Sequence, residues 1–212
     1  MEKALLLLIL FFSTNIFADT IWNNGAPNPQ LGGPCNDCHT LGQSPFDNFI
    51  VGGNVTVTGF TFMSGTFAQA NMITDYRDTH WYLFSSFPQP GGVNAIASGN
   101  AVGSLTPTGT ATGAILYETV FNIPPIQLGP GMYWIAFRNN SVHGQADSFG
   151  LETGLSPLPG GVGSLHDNFI DGDPRAELSF TVEGTPVPEP ASLLLLAGGL
   201  TGLHLRRTRK IA

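Results

Sequence analysis

Between residues 19 and 185 this chain has no lysine. Its basic residues there are Arg77, Arg138 and Arg175, set against thirteen Asp and Glu, a net charge of −10 for that span. Nucleic-acid phosphates are held by clusters of Lys and Arg, so no nucleic-acid partner is expected. Glutamate is scarce as well, limited in the same span to Glu118, Glu152, Glu177 and Glu183. Few strong helix formers, with 27 glycines and 16 prolines in the whole chain, disfavour long helices and favour short strands between Gly/Pro turns. Cysteine occurs only as Cys35 and Cys38. There is no H-E-x-x-H, no G-x-S-x-G and no phosphate-cradling glycine loop. The chain is therefore not expected to be an enzyme.

What is present is concentrated first at the two ends. Lys3 precedes the unbroken apolar run Ala4–Phe12, followed by polar Ser13-Thr14-Asn15 and then Ile16-Phe17-Ala18. That order predicts a signal helix over 1–18, cleaved before Asp19. At the other end Val187-Pro188-Glu189-Pro190 leads into apolar Ala191–Leu205, and Arg206, Arg207, Arg209 and Lys210 follow. As a helix the apolar stretch is roughly 22 Å long, short of a hydrocarbon core of about 30 Å. Snorkelling by Arg206 and Arg207, or local thinning of the bilayer, would close the gap. The basic end stays cytoplasmic and the body outside. The chain thus divides into a signal peptide (1–18), one domain (19–185), and a tail (186–212) with a Pro-rich linker and a short transmembrane helix.

This tail, with its Pro-Glu-Pro signature, hydrophobic stretch and basic end, resembles the PEP-CTERM sorting tail of Gram-negative bacteria. The resemblance implies export, transient anchoring in the inner membrane and cleavage near Pro188-Glu189-Pro190 by an exosortase. It also implies a final place at the cell surface or in an exopolysaccharide matrix. The implied partners are the export machinery, the exosortase and, for the body, exopolysaccharide.

Within the body the apolar period is two. Val55-Thr56-Val57-Thr58 alternates, Gly59 shifts the phase, and Phe60-Thr61-Phe62 resumes it, the pattern of a strand with a β-bulge. Trp81–Phe84 is apolar on both faces, which predicts a central strand, and Met132–Phe137 is another strand apolar on both faces. Ile96–Val102 reads as a weak strand. Ile115, Tyr117, Thr119, Phe121 and Ile123 share the face of a strand that Pro124-Pro125 should end. Leu178, Phe180 and Val182 form the inner face of the last strand. Pro88–Gly92 and Leu128–Gly131 are turns. The expected fold is all-β, an antiparallel β-sandwich of jelly-roll-like type. The order Asn24-Gly25-Ala26-Pro27, Asp47-Asn48-Phe49, a Trp-centred strand, Ala97-Ser98-Gly99 and Leu128–Trp134 is similar to a β-sandwich body common in PEP-CTERM proteins, for which no catalytic residues carry over.

The sharpest local motif is Cys35-Asn36-Asp37-Cys38-His39. It has the C-x-x-C-H spacing of covalent haem c attachment, in which both thiols add to vinyl groups and His39 binds the iron. A sixth ligand would come from His80, His143, His166 or a methionine. The other reading is a small disulfide in an exported loop, and this one is preferred, with no cofactor expected; a metal is a third. Asp167, Asp171, Asp173 and Glu177 crowd one turn and are candidates for calcium, although their order is not that of an EF-hand; a solvated acidic turn is the plainer reading. Trp81, Tyr82, Tyr133 and Trp134 read as core or, less simply, as a sugar-stacking platform. The expectation is an exported structural or adhesive protein; the alternatives are a haem c electron carrier and a carbohydrate-binding module.

Overall fold

The computed structural model describes residues 18–27, 44–66, 72–111, 114–141, 144–145, 149–150, 162–165, 170–173 and 177–187. The signal segment up to Phe17, the cysteine motif and the tail beyond Val187 lie outside the described residues. The strands are β1 (Asp19–Asn23), β2 (Ser44–Val51), β3 (Val55–Thr66), β4 (Tyr76–Phe84), β5 (Ala97–Ala101), β6 (Gly103–Ala111) and β7 (Ala114–Leu128). They continue with β8 (Gly131–Ser141), β9 (Gly144–Gln145), β10 (Phe149–Gly150), β11 (Val162–Leu165), β12 (Ile170–Asp173) and β13 (Phe180–Pro186). Among the described residues helix is confined to single turns at Met72–Asp75 and Pro90–Gly92.

All pairings are antiparallel and form two sheets. One runs β1-β13-β3-β7-β6, with β10 added beside β3; the other runs β12-β11-β2-β8-β4-β5, with β9 beside β8. The chain crosses between the sheets repeatedly, and β1-β13-β3-β7 lies over β2-β8-β4-β5. The result is an antiparallel β-sandwich, as the period-two pattern and the scarcity of helix formers anticipated.

The space between the sheets is filled by every second residue of each strand. Phe49 and Val51 of β2, Phe60 and Phe62 of β3, Trp81 and Leu83 of β4, Phe121 of β7, Ile135 and Phe137 of β8, and Leu178, Phe180 and Val182 form one buried cluster. Phe62 and Phe137 stack across the sheets with ring centroids 3.9 Å apart. The phase shift at Gly59 is a bulge: the register of β3 on β7 slips between Val57 and Gly59.

β7 does not stop at Pro124-Pro125 but continues to Leu128. The prolines fall where the pairing jumps from Asn122 opposite Gly59 to Ile126 opposite Val57, while β6 is already finished at Gly103 opposite Phe121. Neither proline is asked for a ladder hydrogen bond, so the strand tolerates both. β4 is flanked by β8 and β5 and is one strand in from the edge. Its second apolar face is explained by a smaller cluster on the outside of its sheet. There Phe46, Phe84, Trp134, Ala136 and Leu165 pack together with Tyr82 and Ala95, and Phe87 meets Phe46 and Trp134 edge to face.

Candidate functional site

Two features could carry function: the point where the tail leaves the body, and a set of buried polar groups. Pro186, the last residue of β13, pairs with Val55, and the Val187 amide donates to the Asn54 carbonyl at 2.8 Å. Asp19, the first residue of the expected mature chain, pairs with Gly184 two residues earlier. Both ends of the body therefore lie at the same pole, beside the connections Gly52–Asn54 and Gly129–Pro130. Pro27 and Ser44, which flank the cysteine-bearing segment, stand toward the opposite pole, where β1 ends and β2 begins.

The interior changes character from pole to pole. Near the tail it is aliphatic and aromatic. Toward the far pole Thr79, Thr119 and Asn139 face inward and are fully buried. The Thr79 hydroxyl donates to Asn139 Oδ1 (2.7 Å), and Asn139 Nδ2 donates to the Thr119 hydroxyl (3.0 Å). This bridge joins the two sheets through satisfied groups, as burial requires.

A second polar group lies beside β1. Asp47 and Glu177 are both buried and share one amide donor. Asn24 Nδ2 donates to Asp47 Oδ2 (2.9 Å) and to Glu177 Oε2 (2.7 Å). Asn24 Oδ1 in turn accepts from the Trp22 indole (2.9 Å). The Leu178 and Asn48 amides donate to Asp47 Oδ2 and Oδ1 at 2.7 and 2.6 Å. Burial pushes the Asp47 carboxyl well above its ordinary range, and the Glu177 charge raises it further; the two amides only partly offset this. Close carboxyl pairs serve as acids and bases where substrate reaches them, but this one is closed to solvent. Its effect here is to tie β1, β2 and the approach to β13 together.

A shallow depression of about 240 Å³ adjoins this cluster on the outer face of the first sheet, lined by Asn23, Pro27, Thr61, Met63, Glu118 and Thr181 among others. Its wall mixes polar side chains (Asn23, Thr61, Glu118, Thr181) with apolar ones (Pro27, Met63).

The residues singled out in the sequence are dispersed. Glu177 is turned inward to Asp47 and Asn24. Asp171 and Asp173 stand in β12, and Asp167 lies outside the described residues. Among the described residues no group of three or more His, Cys, Asp or Glu is placed to hold a metal. Cys35, Cys38, His39, His143 and His166 lie outside the described residues, as do Pro188, Glu189, Pro190, Arg206 and Arg207. His80 Nδ1 is 2.7 Å from Asn100 Oδ1, with its ring against Tyr82. The neighbouring Asp78 is pushed up by partial burial, but hydrogen bonds from Asn140 and Arg77, and the Arg77 charge, hold it below the ordinary range.

The four aromatics do not share a surface. Trp81 (3% exposed) and the half-buried Tyr133, stacked on Phe49, face the core; Tyr82 and Trp134 (9%) face the outer cluster.

Asp47 was missed by motif reading, although a signal existed. It occupies the inward register of Phe49 and Val51, where a period-two strand should be apolar. Glu177 gave no such signal, because it lies outside the regular register of β13.

A family model for the PEP-CTERM protein-sorting motif matches residues 186–210. A comparison with curated proteins gave no match. The motif begins at Pro186, where β13 ends, so the sorting segment follows the last strand without an intervening element. A chain that carries this motif is exported and sorted by an exosortase.

Proposed function

We propose that this protein is a non-catalytic, surface-displayed β-sandwich with a structural or adhesive role in the envelope or exopolysaccharide matrix. One observation supports it above the others. The sorting motif is fused directly to β13 at the pole that also holds Asp19, so during anchoring the far pole would face away from the membrane and the sheet faces would lie to the sides. A folded body displayed in this way needs no cofactor to act as a spacer or a ligand for matrix polymers. A carbohydrate-binding module based on Trp81, Tyr82, Tyr133 and Trp134 is less well supported, since those rings divide between two faces. A haem c carrier through Cys35, Cys38 and His39 is the remaining alternative.

The test is intact-mass analysis of the native protein after cell fractionation. The parent should begin at Asp19, lack Arg206–Lys210 and be recovered from the surface or matrix fraction. Replacing Pro188, Glu189 and Pro190 by alanine should leave it in the membrane with its basic end intact. Recovery of the parent in the membrane with Arg206–Lys210 retained would refute the sorting half of the proposal. Release from the cell without any retention by matrix polymer would refute the adhesive half.

A further inference from the structure

The charge of the body is unevenly placed. From Thr79 to Tyr117 the sequence contains no Asp, Glu, Lys or Arg. That stretch includes β5 and β6, which are the edge strands of the two sheets on one side of the sandwich and are joined through Val102 alone. The edges on the other side, β1 and β12, carry Asp19, Asp171 and Asp173. Proteins commonly protect an edge strand with charge, proline or a bulge. β6 has two such devices, Pro107 and a register slip between Pro107 and Gly109. β5 has none: it is regular against β4, contains neither proline nor charge, and leaves one row of backbone groups facing outward. Its side chains, Ala97-Ser98-Gly99-Asn100-Ala101, are small enough for another strand to approach at about 4.8 Å.

We propose that two copies of this chain pair edge to edge through β5, in antiparallel register about a two-fold axis at Gly99. In a two-fold contact residue i meets j while j meets i. Centring on Gly99 places Ser98 opposite Asn100 of the second copy, and Ile96 opposite Val102 of the second copy. Ile96 (48% exposed) and Val102 (81%) are two of the few large apolar side chains exposed among the described residues, and this register covers both at once. A second copy is the occupant that the charge pattern favours. Acidic bodies repel one another on approach, and this side lets two of them meet without opposing like charges. A ladder over residues 96–102 buries less than the roughly 1,200 Å² at which stable complexes begin. The pairing is therefore weak in dilute solution and becomes effective when copies are concentrated on one surface.

The experiment is sedimentation equilibrium of the exported protein, over about 1 µM to 1 mM, at low and high salt. A concentration-dependent monomer–dimer equilibrium is expected, tightening as salt screens the long-range repulsion between acidic bodies. Ser98→Glu and Val102→Glu should each weaken association at least tenfold, with circular dichroism and melting temperature unchanged. Thr20→Glu, which adds the same charge to the β1 edge, should change it less than twofold. If Ser98→Glu disturbs the fold, Val102→Glu decides, because Val102 lies outside both strands. A monomer throughout the range, a dimer indifferent to both edge substitutions, or equal weakening by Thr20→Glu would each overturn the proposal.

Discussion

The carboxyl groups of Asp47 and Glu177 are bridged by one amide nitrogen, that of Asn24, inside a sandwich that otherwise buries mostly apolar side chains. The arrangement fixes the sign of a pH effect. The Asp47 carboxyl is raised in the folded state, first by burial and then by Glu177, so the folded chain binds more protons than the unfolded one. The stability it contributes is complete below the ordinary carboxylate value of 3.8 and is lost as pH rises through the raised folded value. Asp78, held low, acts in the opposite sense below that value. Urea unfolding at a series of pH values should therefore show a maximum at about pH 4 and a decline toward neutrality. Asp47→Asn should flatten that decline. Asp47→Ala should cost about 2–4 kcal/mol at pH 4, since it strips the Leu178, Asn48 and Asn24 donors of their acceptor.

The two tryptophans should respond differently to truncation. Trp81 lies in the main core, and Trp81→Ala should cost about 3–5 kcal/mol. Trp134 closes the smaller outer cluster, whose Phe87 comes from a loop able to settle into the space. Trp134→Ala should cost about 2–3 kcal/mol, toward the low end for such a change. Chemical denaturation with the slope held constant separates the two; equal costs would mean that the outer cluster is as tightly determined as the core.

Gly92 has φ +68°, and a Cβ there would come within 2.7 Å of the Tyr82 ring. Gly92→Ala should cost about 1–2 kcal/mol for the left-handed backbone alone, plus the displacement of Tyr82. Combining it with Tyr82→Ala should recover the second part and leave the first. A double-mutant cycle measured by thermal unfolding gives both.

Replacing Cys35 and Cys38 by serine should leave the body folded and correctly sorted. A disulfide across so short a loop contributes about 2 kcal/mol or less on the loop-entropy account. If haem c is attached instead, the parent shows a mass gain that survives denaturation and a visible Soret band, both lost in the double variant. That result would replace the structural reading with the electron carrier.

Much of the fold was legible because each face of a strand repeats every second residue. Phe60, Phe62, Phe121, Phe180 and Val182 all stand inward where the alternation put them, and Gly59 marked its bulge. Three features were less legible, each for a physical reason. Pro124-Pro125 reads locally as a strand end, and only the register of both neighbouring strands makes it harmless. The outward apolar face of β4 reads as a central strand, while its cover is supplied by Phe87 and Ala95 from the loop before β5. The Asp47–Glu177 pair joins residues far apart in sequence, and no spacing rule connects them. The sorting tail is legible for the opposite reason: its order of signature, apolar run and basic end is contiguous.

The exit of the tail from β13 also determines how the body bears a load. β13 lies between β1 and β3, and traction through Pro186 acts along the strand axis. Pulled lengthwise, the ladders on either side are strained together rather than opened one rung at a time. An anchored copy held at its far pole by the matrix would thus resist drag in shear, the orientation in which many modest hydrogen bonds must fail at once.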